Sequence, residues 1–146
     1  MKWIWMGLIG IAFVIAAAAA LGAMLPVAHA ASRQARFQKS AETIWGLIAR
    51  EKTFREDNVN YQVTESAPPR RLVTRIADKN LPYGGSWTYD ISPGASGCTL
   101  RITENGEVYN PLFRFVSRFV MGHTATIDKR LTQIGKQLGE PVRIED

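Results

Sequence analysis

The first hydrophobic feature of the chain is also its longest: from Trp3 to Val27 there is no charged side chain. A helix of that length, at about 1.5 Å per residue, exceeds the ~30 Å hydrocarbon core of a bilayer. Trp3 and Trp5 stand at one end, where amphipathic rings favour headgroup level, and Pro26 stands ready to stop the helix at the other. The pattern predicts an uncleaved transmembrane anchor over residues 1–28 and a single domain over residues 29–146. A cleaved signal peptide is the competing reading, since Lys2 gives a short positive n-region and Ala28-His29-Ala30 fits an A-x-A cleavage site. Signal h-regions run to about 7–15 apolar residues, and this run is longer, which favours the anchor. Arg33, Arg36 and Lys39 after the helix, against Lys2 before it, lean towards a single-pass protein with its domain facing the cytoplasm.

Beyond the anchor the period falls to two. Ala31, Arg33, Ala35 and Phe37 alternate with Ser32, Gln34 and Arg36, predicting a first strand. Ser40 is an N-cap for a helix over Ala41 to Arg50 with Ile44, Trp45, Leu47 and Ile48 on one face. Glu51 to Asn58 is highly charged and, apart from Phe54, lacks apolar periodicity, so it reads as a loop. Val59, Tyr61 and Val63 resume the alternation, and Pro68-Pro69 turns the chain into a strand over Arg71 to Ala77. After Pro82 and Gly84-Gly85, Trp87, Tyr89 and Ile91 share one face of a strand over Ser86 to Ile91. Pro93-Gly94 and Gly97 lead into Cys98 to Thr103, where Leu100 and Ile102 point inward, and Asn105-Gly106 reads as a turn. Four successive antiparallel strands are expected between residues 59 and 108. Asn110-Pro111 then starts a long helix with Leu112, Phe115, Val116 and Phe119 along one stripe and Ile127, Leu131, Ile134 and Leu138 continuing it. Gly122 inside that pattern costs about 1 kcal/mol relative to Ala and predicts a kink or a close backbone approach.

This order of elements, with the segments RRLVTRIAD (70–78), LPYGGSWTYDI (81–91), LRITENGEVYNPLFRFVSRFVMGHTATID (100–128) and HAASRQARFQKSAETIWGLIA (29–49), resembles the START-like SRPBCC superfamily. That superfamily includes polyketide cyclase/dehydrase and lipid-transport relatives, and the segments look like its bacterial members that carry an N-terminal transmembrane helix. The resemblance implies an α+β helix-grip fold, in which a curved antiparallel sheet wraps a long C-terminal helix and leaves an apolar cavity between them. Family members usually place a second short helix and a further strand pair before the strand resembling Val59 to Glu65, whereas only Glu51 to Asn58 intervenes here. An internal deletion and a shortened sheet of about five strands, open at one edge, are therefore expected. Such an edge would pair with a second copy of the chain or be shielded by the membrane.

Charge and composition narrow the function classes. The formal net charge is +5, yet the basic residues are scattered, with no run of the kind that binds nucleic acid. Beside an anchor, anionic lipid headgroups are the natural partner, at roughly 1 kcal/mol per basic side chain. The single cysteine, Cys98, excludes an intrachain disulfide, and its alternating apolar setting makes it a buried structural thiol. No metal-ligand spacing and no cofactor motif occurs. The aromatics Trp87, Tyr89, Tyr109, Phe115 and Phe119 are the candidates to line a ligand pocket, the alternative being that they fill the core. His123, with Tyr109 and Glu104, is the candidate for proton transfer, the alternative being a structural or helix-capping histidine. The expected function is binding of a lipid or other hydrophobic small molecule near the bilayer, without catalysis. A polyketide cyclase/dehydrase-like enzyme and a protein-interaction scaffold are the rivals.

Overall fold

A computed structural model describes residues Met1–Asp146. The apolar run forms α1, Lys2–Met24, and of this helix only Gly22 is buried. Its last turn rests on α3, Pro111–Val116, so closely that a Cβ at Gly22 would overlap the Pro111 carbonyl oxygen. Apart from half-buried Ala18 and Ala19, the rest of α1 stands free of the domain with its apolar side chains exposed, Trp3 by 85 % and Phe13 by 73 %. One helix is thus long and apolar enough to cross a membrane.

The domain is a seven-stranded antiparallel sheet packed against helices in a helix grip. Strand β1, Ala28–Phe37, leads into α2, Ala41–Ile48, whose N-cap Ser40 accepts a hydrogen bond from the Thr43 backbone N–H at 3.3 Å. There follow β2 (Thr53–Glu56), β3 (Val59–Ala67), β4 (Arg71–Ile76), β5 (Tyr83–Gly94) and β6 (Gly97–Val108). The chain closes with α3, a π-helical turn over Ser117–Met121, α4 (Ala125–Leu138) and a two-residue β7 (Ile144–Glu145). The spatial order is β2-β3-β4-β5-β6-β1-β7.

The expected five strands are corrected to seven, and the reason lies in the segment read as a loop. Asp57 and Asn58 both adopt positive φ, 49° and 64°. That is the requirement of a two-residue I′ hairpin turn, and Asp and Asn tolerate it better than most residues. It folds Thr53–Glu56 back onto β3 with Glu56 opposite Val59, so β2 rather than β3 ends the sheet on that side. The C-terminal tail supplies β7 at the other edge, pairing Ile144 with Ala35. Both edge strands are short, which limits the backbone offered for further pairing. The Asn105-Gly106 turn is also corrected: β5 and β6 continue past it, with Gly85 opposite Gly106 across the ladder. The single long C-terminal helix is corrected as well. Gly122, at φ 74°, separates α3 and its π turn from α4.

The core sits between the inner face of the sheet and α2 and α4. Ile44 and Ile48 of α2 and Ile127, Leu131 and Ile134 of α4 meet Leu72, Ile91, Leu100 and Ile102 from the strands. All are nearly or fully buried, each contributing roughly 1.5–3 kcal/mol of transfer free energy. Cys98 is buried among them, and burial pushes its thiol pKa up, so it carries no reactive thiolate.

Candidate functional site

The site follows from running the same strand alternation towards the anchor end of the sheet. On β6 the inward series Cys98, Leu100, Ile102 continues through Glu104 and Gly106 to Val108. On β1 the inward series Phe37, Ala35, Arg33, Ala31 runs back to His29, which lies opposite Gly106, and Arg33 pairs with Asp128 of α4 at 3.5 Å. Gly106 leaves the room for it, since a Cβ there would overlap the imidazole. Trp87 on β5 is paired with Glu104. The inner face is therefore mainly apolar beneath α4, with the Arg33–Asp128 pair as its exception, and polar-aromatic towards α1.

The roof over this part is the broken helix. Asn110 caps α3, its Oδ1 accepting from the Phe113 N–H at 3.1 Å with Pro111 in the first turn. The π turn ends on an i to i+5 bond from the Gly122 N–H to the Ser117 carbonyl at 3.0 Å. With Gly122 in a left-handed backbone, the chain swings back and lays His123 over His29. The two imidazoles stack with centroids 3.9 Å apart and planes 21° from parallel.

Around this pair the polar atoms converge. His29 Nε2 lies 3.6 Å from Glu104 Oε1, Thr126 Oγ1 donates to Glu104 Oε2 at 2.9 Å, and Ser117 Oγ is 3.3 Å from His123 Nδ1. Burial lowers the pKa of His29, and burial together with the adjacent His29 and Arg118 lowers that of His123. Burial raises the Glu104 pKa, against the pull of Thr126 and His123. Two neutral imidazoles and a carboxylate in one partly dry pocket make a path along which a proton can be held or passed.

Three cavities meet here. One of about 350 Å³ lies between the sheet and the α3–π roof, with Tyr61, Trp87, Phe113 and Met121 giving it apolar walls and His29, Glu104, His123 and Thr126 its polar atoms. A second, about 330 Å³, continues towards β2 and α4 past Phe54, Tyr89 and Arg130, sharing Tyr61, Trp87 and Thr126 with the first. The third, about 320 Å³, lies between the end of α1 and α3, lined by Leu25, Pro26, Val27, Arg114 and Arg118. It shares His29 and His123 with the first, so the stacked imidazoles stand between them. Burial, and next the Glu56 carboxylate, push the Tyr61 pKa up to about 12, so its hydroxyl keeps its proton in this space.

Of the residues expected from sequence, Trp87 and Tyr89 line the cavities, with ring centroids 6.2 Å apart. Glu104 and His123 are brought together. Tyr109 stands apart: it is 48 % exposed, and its hydroxyl donates to Glu107 at 2.6 Å beside Gly84, on the outward positions of β5 and β6. Phe115 and Phe119 pack on each other at 5.0 Å, Phe115 facing Gly22 of α1 and Phe119 remaining exposed. Sequence reasoning missed His29, Tyr61, Phe113 and Met121.

The sheet and its grip are shared with solved structures. Protein MLL2253 from Mesorhizobium loti superposes with a TM-score of 0.55 at 14% identity, over 75% of this chain and 96% of that one. Norcoclaurine synthase from Thalictrum flavum, in complex with dopamine and hydroxybenzaldehyde, superposes with a TM-score of 0.54 at 12% identity, over 77% and 87%. CalU16 from Micromonospora echinospora does so at 0.50 and 16% identity, over 77% and 84%. These likenesses show the helix-grip fold. No protein-family model matches the chain, and no curated protein sequence does.

Proposed function

We propose that the protein is held in the membrane by α1 and that its SRPBCC domain binds a lipid or another hydrophobic small molecule. The observation that carries this reading is the cavity walled by Tyr61, Trp87, Phe113 and Met121, with a few convergent polar groups at one end. That combination is the usual character of a small-molecule site. The same fold in norcoclaurine synthase holds dopamine and hydroxybenzaldehyde, aromatic molecules of a size such a space admits.

Retention of α1 is supported by what cleavage would cost. A cut after Ala30 would remove Ala28, His29 and Ala30, which pair with Glu107, Gly106 and Asn105, and would take His29 from the site. The full chain should therefore resist alkaline carbonate extraction, and a mature protein beginning at Ala31 would overturn the anchor. Ligand binding is tested by mass spectrometry of small molecules copurifying in detergent, followed by titration of intrinsic fluorescence with fatty-acid-like and aromatic ligands. A saturable change that disappears in Trp87→Phe is expected. No response from folded protein across a broad panel would favour a scaffold.

A second reading, acid–base catalysis on the bound molecule, is favoured by the gathering of His29, His123 and Glu104. It differs from the first in one measurement: His123→Gln would abolish turnover of a ligand while leaving its affinity nearly unchanged.

A further inference from the structure

Phe119, Val120 and Met121 are consecutive, and they are 62, 73 and 60 % exposed. Neighbouring residues point about 100° apart on an α-helix and somewhat less on the wider π turn, so three in a row cover about half its circumference. With all three largely open, the end of the π turn protrudes from the domain, with Phe119 resting on Phe115 and Met121 at the rim of the inner cavity. Phe113, one to two turns earlier, is 49 % exposed. A soluble surface rarely carries such a contiguous apolar projection without a partner.

Two further observations say what the partner is. The helix that carries the projection is fixed to α1 at its start: Gly22 packs on the Pro111 carbonyl, and the Arg114 guanidinium donates to the Leu25 carbonyl at 2.7 Å. It is also free of acidic residues, because none occurs between Glu107 and Asp128, while Arg114 and Arg118 lie within it. An exposed apolar element carrying only positive charge, fixed to the foot of an apolar helix, has the chemistry of an interfacial membrane segment.

We propose that α3 and the π turn form a second membrane contact, lying in the headgroup and upper acyl region of the leaflet into which α1 enters. The inference rests on the reading of α1 as an anchor and adds a docked orientation of the domain. Immersion by roughly 5–10 Å, typical of interfacial helices, takes Phe119, Val120 and Met121 into the acyl boundary. The cavity between α1 and α3 then opens at headgroup level, and a lipid-like molecule reaches the inner cavity past His29 and His123 without crossing water.

The test places a nitroxide at Val120→Cys in the full chain, reconstituted in vesicles of phosphatidylcholine with phosphatidylglycerol. Buried Cys98 stays in place, and the unsubstituted protein gives the labelling background. Labels at Phe13→Cys in α1 and Ser66→Cys at the far hairpin of the sheet are the references. Relaxation by oxygen, which partitions into hydrocarbon, is compared with relaxation by a water-soluble nickel complex. The Val120 label should favour oxygen, as Phe13 does, and Ser66 should favour nickel. A Val120 label that matches Ser66 while Phe13 stays oxygen-rich overturns the second contact and leaves the anchor standing. If Phe13 also matches Ser66, the anchor falls, and the second contact falls with it unless Val120 alone remains oxygen-rich.

Discussion

The helical half of the domain contains two apolar stripes that look alike in the sequence and meet opposite fates. On α4, Ile127, Leu131 and Ile134 are fully or almost fully buried against the sheet. On α3 and the π turn, no residue of the stripe Leu112, Phe115, Val116 and Phe119 is fully buried, Phe119 is 62 % exposed, and the neighbouring Phe113, Val120 and Met121 are between 49 and 73 % exposed. The break at Gly122 divides them. Apolar periodicity therefore says that a face will leave water, but a neighbouring element must exist for it to become core. Where the closest packing is against the end of a membrane-length helix and the sheet is met only across a cavity, the same pattern leaves an outer surface.

The comparison is broken most directly by truncation. Leu131→Ala leaves a cavity in the middle of the core and should cost about 2–5 kcal/mol, read as a large fall in the detergent-solubilised melting temperature. Val120→Ala removes apolar volume from a side chain that touches little and should change stability by less than about 0.5 kcal/mol. Equal losses at the two positions would mean that the π turn is packed after all.

How far this division was legible can be traced residue by residue. The alternation through Val59, Tyr61 and Val63, the Ser40 and Asn110 caps and the 3-4 spacing from Ile127 to Leu138 all lead to elements that form where expected. They are local signals that the tertiary structure reinforces. The β2 strand was hidden because it carries only one apolar side chain, Phe54, and its turn signal is Asp57-Asn58, a weaker mark than Asn-Gly. Within the candidate site, extending the inward series Phe37, Ala35, Arg33, Ala31 by one step would have reached His29. The long apolar run before it makes that residue read as part of a cleavage pattern beside the anchor. Its partner His123 was visible, but their stacking depends on the π turn, which has no sequence signature of its own.

Smaller effects sharpen the boundary where α1 meets α3. Gly22 is the one buried residue of α1, and Gly22→Leu would drive a side chain into the Pro111 backbone. Separation of the two helices should cost roughly 1–3 kcal/mol and raise proteolysis in the 108–124 region, with the sheet and α4 intact. Gly7→Leu, facing open space on the same helix, should do neither. At the outer surface, Tyr109→Phe removes one exposed hydrogen bond to Glu107 and should alter stability by no more than about 1 kcal/mol. A larger loss there would assign Tyr109 a structural part that its position does not suggest.

The subtlest difference is in pH dependence, and it separates the His29–His123–Glu104 cluster from the apolar regions around it. Burial lowers the folded-state pKa of both histidines, aided at His123 by His29 and Arg118, from an ordinary value of 6.5. The folded protein then takes up these protons less readily than the unfolded chain. Their contribution to stability is fully present above pH 6.5 and is lost as pH falls through the lowered folded values. Glu104 has the opposite sign: burial raises its pKa above 4.5, so its charged form weighs against folding at neutral pH. That weight lifts as the pH falls through its raised folded value. The acid limb should therefore begin with the histidines and be partly offset by Glu104 lower down. Melting temperatures measured in detergent from pH 7.5 to pH 5 should fall less steeply in His29→Gln/His123→Gln than in the parent protein. Glu104→Gln should fall more steeply towards the lower end, because an amide cannot supply the offset. Identical slopes in all three would mean that water reaches the stacked pair freely, and that the imidazoles line an open passage rather than a partly dry one.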